Sequence, residues 1–176
     1  ADDDQLLRAV RRAGNVVLAA TRVGADGATD VFDTPETVRW ARATVASVNF
    51  PPRAARGGVI RRMPFDDRGI PSFAVAAAVQ ATGTPADRRR FDGDGAWIDF
   101  AGPPGTIRAF PLHRVLAGEE PPGGFRGKVV VVGATAPVLQ DVRPAATGEG
   151  MPGAEIHANA IATVLRGLPL RDVGAG

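Results

Sequence analysis

The chain has 176 residues, 44% of them hydrophobic and 23% charged, which fits one globular domain with its own core and excludes a disordered tail. Its formal charge of +2 is too small for an electrostatic nucleic-acid binder; the pI near 10.3 is high because Lys128 is the sole lysine and the remaining basic residues are arginines. Cysteine is absent, which removes disulfides, thiolate metal sites and cysteine nucleophiles, and His113 and His157 are too few for a multi-histidine zinc site, so neither a metal nor a cofactor is expected.

The longest apolar runs fall well short of the roughly 18 to 20 residues that span a bilayer, and the opening Ala-Asp-Asp-Asp lacks the basic and apolar regions of a signal peptide. Any membrane anchor or leader is therefore expected outside these residues. The arginine clusters at Arg11-Arg12, Arg61-Arg62 and Arg88-Arg89-Arg90 are short, dispersed and not interleaved with aromatics, as on a solvated surface rather than a phosphate track.

In chain order, residues 4–14 predict a first helix, with acidic residues at its start, Leu6, Leu7 and Val10 at helical spacing and a glycine stop. The apolar run 15–20 predicts a strand covered on both faces. Asp33-Thr34-Pro35-Glu36 opens a second helix running to about residue 43, with Trp40 expected as a core anchor. Residues 44–50 and 58–65 read as two strands joined by the long proline-containing loop 51–57, and Pro71-Ser72 opens an alanine-rich helix stopped at Thr82-Gly83. Residues 96–100 alternate as a strand with Ile98 opposite Trp97 and Asp99, and a short helix is expected over 111–117.

Four consecutive valines after Lys128 predict a central, buried, parallel strand ending at Gly133. A long loop over 134–150 follows, then a helix from about residue 151 to Gly167. These elements predict an α/β fold with a mixed, largely parallel central sheet flanked by helices.

Ligands of open α/β sheets settle beyond the carboxyl ends of the strands, so the end of the valine strand and the start of the last helix form the candidate site. Thr135, Asp141, Glu155, His157 and Asn159 can all approach it. The helix start suits an anionic group, whereas Asp141 and Glu155 suit a cation or amine, and the residues do not choose between them. Each has a structural reading too: His157 lies on the helical face of Ile161 and Leu165, Glu155 and Asn159 sit four residues apart where they can bond a loop, and Asp141 suits loop stabilisation.

Residues 101–106 carry two prolines and no Gly-Lys-Ser/Thr ending, so they do not make a phosphate cradle. The only serines, Ser47 and Ser72, read as strand and helix-cap residues, and no nucleophile elbow is present, which disfavours nucleophilic hydrolysis. An acid/base enzyme using a carboxylate with His157 is the remaining catalytic alternative.

The segments Ile98-Asp99-Phe100-Ala101-Gly102-Pro103-Pro104-Gly105, Phe125-Arg126-Gly127-Lys128 through Gly133-Ala134-Thr135, and Met151-Pro152-Gly153-Ala154-Glu155-Ile156-His157-Ala158-Asn159 together resemble the second subtype of CHASE domain, the cyclase/histidine-kinase-associated sensory extracellular domain. Arg12 to Leu18 and Gly58 to Arg62 resemble the same family, so nearly the whole chain is covered. The resemblance implies a single non-enzymatic sensor module over 1–176. Such a module lies outside the cytoplasm and is tethered through membrane helices to a cyclase or kinase output, with an unknown small-molecule or envelope signal and homodimers among its partners. It also implies that the module is N-terminally incomplete, family members carrying a strand-helix portion before the position of Asp4. A structural dimerisation module without a ligand site is the alternative.

Overall fold

The computed structural model describes residues 2–32, 34–51, 55–135, 141–148 and 150–171. Asp33, the 52–54 part of the proline loop, and residues 136–140 and 149 of the expected long loop lie outside them.

Helix α1 (Asp2–Ala13) buries Val10 and leads to strand β1 (Val17–Ala20), which is not covered on both faces as expected: Ala20 is buried, Val17 and Leu18 are half-buried and Ala19 is exposed. Helix α2 (Pro35–Ala41) starts where Thr34 accepts the Thr37 N–H at 3.2 Å, satisfying one of the donors that a helix start leaves free. Strand β2 (Thr44–Ser47) then pairs in parallel with β1, in the register Val17 to Thr44 through Ala20 to Ser47.

Trp40 does not anchor the core. It is 47% exposed and lies under the Arg11 guanidinium, 4.8 Å from its ring centroid, while Arg11 also donates to the Trp40 carbonyl. The side of α2 facing inward carries the fully buried Ala41 instead. Trp40→Ala is therefore expected to lower stability by less than about 1 kcal/mol, against the roughly 3 to 5 kcal/mol of a core tryptophan, as urea denaturation will show.

The expected strand over 58–65 shrinks to β3 (Arg62–Met63), which pairs antiparallel with β6 (Ala96–Trp97) rather than with β2. Its backbone lies so close to the turn before β6 that a Cβ on Gly95, whose φ is +93°, would sit 2.3 Å from the Met63 carbonyl oxygen. Between these strands come the small antiparallel pair β4 (Asp66–Asp67) and β5 (Ile70–Pro71) and helix α3 (Phe73–Thr82), capped by Ser72 through the Val75 N–H. The short helix α4 (Leu112–Leu116) falls where it is expected.

The largest departure is the valine run. Residues 129–132 join no ladder among the described residues; Val131 packs on the core, while Val130 is 51% and Val132 78% exposed. Consecutive valines favour an extended backbone, but a strand exists only when a neighbour supplies its hydrogen bonds, and among the described residues none pairs with them. The largely parallel central sheet expected does not appear among the described residues: they form four two-stranded sheets, of which β1 with β2 is parallel and the other three are antiparallel.

The fourth pair was hidden in the expected loop and helix start. Strand β7 (Val142–Pro144) runs antiparallel to β8 (Gly150–Pro152), so that helix α5 (Gly153–Leu165) begins after a strand. Helices α3 and α5 pack together through alanines, Ala74 and Ala77 facing a cluster that contains Ile156, Ala160 and Ile161. Met63, Ile98 and Met151 complete that core.

Candidate functional site

The site is built around the first turn of α5. The Gly153 N–H donates to the Asp141 carbonyl at 2.8 Å, and a Cβ on Gly153 would lie 2.5 to 2.8 Å from the Asp141 carboxyl atoms. Glycine is needed here because the carboxylate occupies the space over the helix start, where the partial positive charge of the first turn favours an anion. Arg143 in β7 stands beside it, its Nε 3.8 Å from Asp141 Oδ1.

One turn further along α5, the His157 ring stacks on Phe50, with centroids 4.9 Å apart at 25°, and meets the edge of Phe73 at 5.5 Å. Burial holds its imidazole neutral, with the pKa lowered from the ordinary 6.5 to about 4, although the Asp141 charge and a hydrogen bond with the Val48 backbone pull the other way. His157 therefore combines the two readings its sequence position allows: it packs against the aromatic wall and it borders open space.

That space is a cavity of about 600 Å3. It is lined by Ala19 and Thr21 at the end of β1, Val48 to Phe50 after β2, Ile60 and Phe73, Val131 to Gly133, Asp141, Arg143 and the start of α5. The valine run thus ends at the first turn of α5, where a Cβ on Gly133 would lie 2.8 Å from Ala154 Cβ.

Of the five candidate residues, the structure places Asp141 and His157 on the cavity wall. Thr135 is exposed and is not among the lining residues. Glu155 and Asn159 point to another task. The Glu155 carboxylate accepts the N–H groups of Gly105, at 2.9 and 3.0 Å, and of Ile107, at 3.2 Å. Asn159, 1% exposed, accepts the Ala101 N–H at 2.9 Å and donates to the Glu155 carbonyl at 2.9 Å. Thr163, four residues on and fully buried, accepts the Asp99 N–H at 3.0 Å. A polar stripe at i, i+4 and i+8 on α5 thereby serves the backbone of 99–107, which has no strand neighbour of its own.

Residues that sequence reasoning missed are Thr21, Asn49, Phe50, Ile60, Phe73 and Arg143. They come from separate parts of the chain, and none but Ile60, in the 58–62 segment, lies in a segment that carries the resemblance; only their folding together makes them neighbours. The arginine clusters are compensated locally: Arg62 bonds Asp92 at 2.7 Å and lies over Trp97, Arg88 bonds Asp66 at 2.6 Å, and Arg89 bonds Asp87 at 3.0 Å. Among the described residues no group of three acidic, histidine or cysteine side chains could hold a metal ion, and no helix is long and apolar enough to cross a membrane.

Comparison with the curated proteins and with the solved structures finds no match in either. The family model described as the CHASE2 domain matches residues 1–174, a span that takes in the 99–107 segment, the valine run and the whole of α5. On that near-complete match the chain belongs to the CHASE2 domain family, whose members are extracellular sensory domains of signalling receptors.

Proposed function

We propose that this domain works outside the cytoplasm as the sensory part of a transmembrane receptor, binding a small-molecule signal in the cavity beside α5. The signal passes through membrane helices outside these residues to a cyclase or kinase output. The observation that carries the reading is the cavity: about 600 Å3, within the range of small-molecule sites, with an apolar wall and a few polar groups brought together at a helix start. Asp141 and His157 are its recognition residues. Glu155 and Asn159 support the scaffold behind it, and Thr135 follows the valine run at the cavity's edge.

Signalling requires the ligand to bind one of two arrangements better than the other, because equal affinity shifts nothing. The cavity suits that requirement, since its lining comes from several separate elements: the ends of β1 and β2, the start of α3, β7, the valine run and the start of α5. A shift of these elements relative to one another changes the ligand's contacts.

The test is thermal unfolding of the intact chain against a panel of metabolites, ions and cell-wall fragments. A ligand at about a hundred times its dissociation constant adds roughly 2.7 kcal/mol of stability. The expected result is a shift by at least one compound that Asp141→Asn or His157→Gln removes; a cooperative transition that no compound moves would sink the small-molecule reading.

A second reading has its own observation. Leu112, Leu116, Val130 and Val132 are all more than half exposed, more apolar surface than a solitary domain usually shows in one stretch of chain. On this reading the domain assembles receptors as homodimers, and sedimentation equilibrium would find a dimer that Leu116→Glu with Val132→Glu dissociates.

A further inference from the structure

The cavity's side chains have a chemical bias that goes beyond its role as a sensory pocket, and the inference rests on that role. Three of the polar side chains on its wall turn donors away from it. The Thr21 hydroxyl donates to the Asp30 carboxylate. The Asn49 amide donates to Asp67 Oδ2 at 2.9 Å, and His157 is engaged with the Val48 backbone. What these groups leave for an occupant is mainly lone pairs, on the threonine oxygen, the asparagine carbonyl and the unprotonated imidazole nitrogen.

The charges lean the same way. The Asp141 carboxylate lies beside Gly153 at the start of α5, where a Cβ would lie 2.5 to 2.8 Å from it, and sets a negative charge where an anion would otherwise be drawn. Asp30 and Asp67 stand behind Thr21 and Asn49. Among the described lining residues Arg143 is the one cation; its side chain is 62% exposed and only loosely paired at 3.8 Å. The backbone of Val131 to Gly133 offers donors and acceptors in equal number and favours neither sign. The remaining wall is apolar: Val48, Phe50, Ile60, Phe73, Val131 and Ile156.

We propose that the cavity takes a small organic cation, a primary amine on an apolar body, with its ammonium group at Asp141 and the imidazole of His157 and its body against Phe50, Phe73 and Ile60. An anion of the same shape meets the Asp141 charge and finds few side-chain donors. A bare metal ion or a lone water is far too small for the volume.

The test titrates the intact chain by calorimetry with phenethylamine and with 3-phenylpropionate, which share a body and differ in the sign of the head. The expected result is binding of the amine, no measurable binding of the acid, at least about tenfold weaker amine binding in Asp141→Asn, and tighter binding in Arg143→Gln, where the competing cation is gone. Arg143→Gln keeps the test alive if Asp141→Asn does not fold. Binding of the acid alone, or equal binding of both, overturns the cationic class while leaving a sensory cavity in place. Binding of neither probe also overturns the cationic class, whereas the sensory reading fails only if the wider panel moves nothing.

Discussion

Replacing Asn159 by alanine is expected to cost about 3 kcal/mol of stability, measured as a shift in urea midpoint at unchanged slope. The side chain is 1% exposed and meets the backbone at both ends: its Oδ1 receives the Ala101 N–H and its Nδ2 donates to the Glu155 carbonyl. Removing it takes the acceptor from the Ala101 N–H, a part-buried donor, for roughly 1 kcal/mol, and opens a void beside the fully buried Met151 that makes up the rest of the loss. Asn159→Asp tests the account separately. It keeps the acceptor for Ala101 but loses the donor and buries a charge, so it is expected to be at least as damaging at neutral pH and to recover partly in acid, where the new carboxyl is protonated. A loss below about 1 kcal/mol in the alanine variant would show that 99–107 is held by something other than this stripe.

Acid is expected to weaken the fold through His157, and the window follows from its depressed pKa. Above pH 6.5 neither folded nor unfolded chain holds the proton, so the residue makes no pH-dependent contribution. As the pH falls from 6.5 to about 4, the unfolded chain takes up a proton that the folded chain refuses, and stability drops. Below about 4 both states carry it and the drop stops. A shift of this size corresponds to at most about 3 kcal/mol, since each pH unit of displacement is worth roughly 1.4 kcal/mol. In His157→Phe, which keeps a ring for Phe50 and Phe73 to pack on, this part of the drop is expected to vanish, so that the variant loses less stability than the parent between pH 6.5 and 4; a parent and variant with parallel pH profiles would remove His157 as the cause.

The helices were largely legible because their signals are local. Thr34 before Pro35 and Ser72 before Phe73 both act as the caps their positions announce, and Gly83 stops α3. Strands were less so, since each depends on a partner remote in sequence. The valines of 129–132 have the right composition and no strand partner among the described residues, whereas Gly150–Pro152, with a glycine and a proline, forms a strand because Val142–Pro144 lies beside it. Trp40 illustrates the same limit for burial: its size argued for the core, yet Arg11 on the neighbouring helix covers its ring from outside.

The site was legible in outline. Asp141 and His157 follow from the rule that ligands gather where a helix starts, and Glu155 and Asn159 from their spacing as loop-bonding residues. What they bond could not be read: Gly105 and Ala101 lie 50 and 58 residues earlier, brought there by the pairing of β6 and the packing of α5. Phe50 and Phe73 escaped notice for a like reason, each being an ordinary apolar residue until His157 is placed between them.

Glu155, Asn159 and Thr163 grip one face of α5 over a length of roughly 12 Å, three successive turns clasped to the same stretch of backbone. A rod fastened in this way cannot tilt or slide alone; it must carry 99–107 with it or break buried bonds. Any push felt at Gly153 is then delivered as a movement of a whole slab, helix and clasped segment together, whose far end at Arg166 is tied again to Asp99 by a 2.8 Å ion pair.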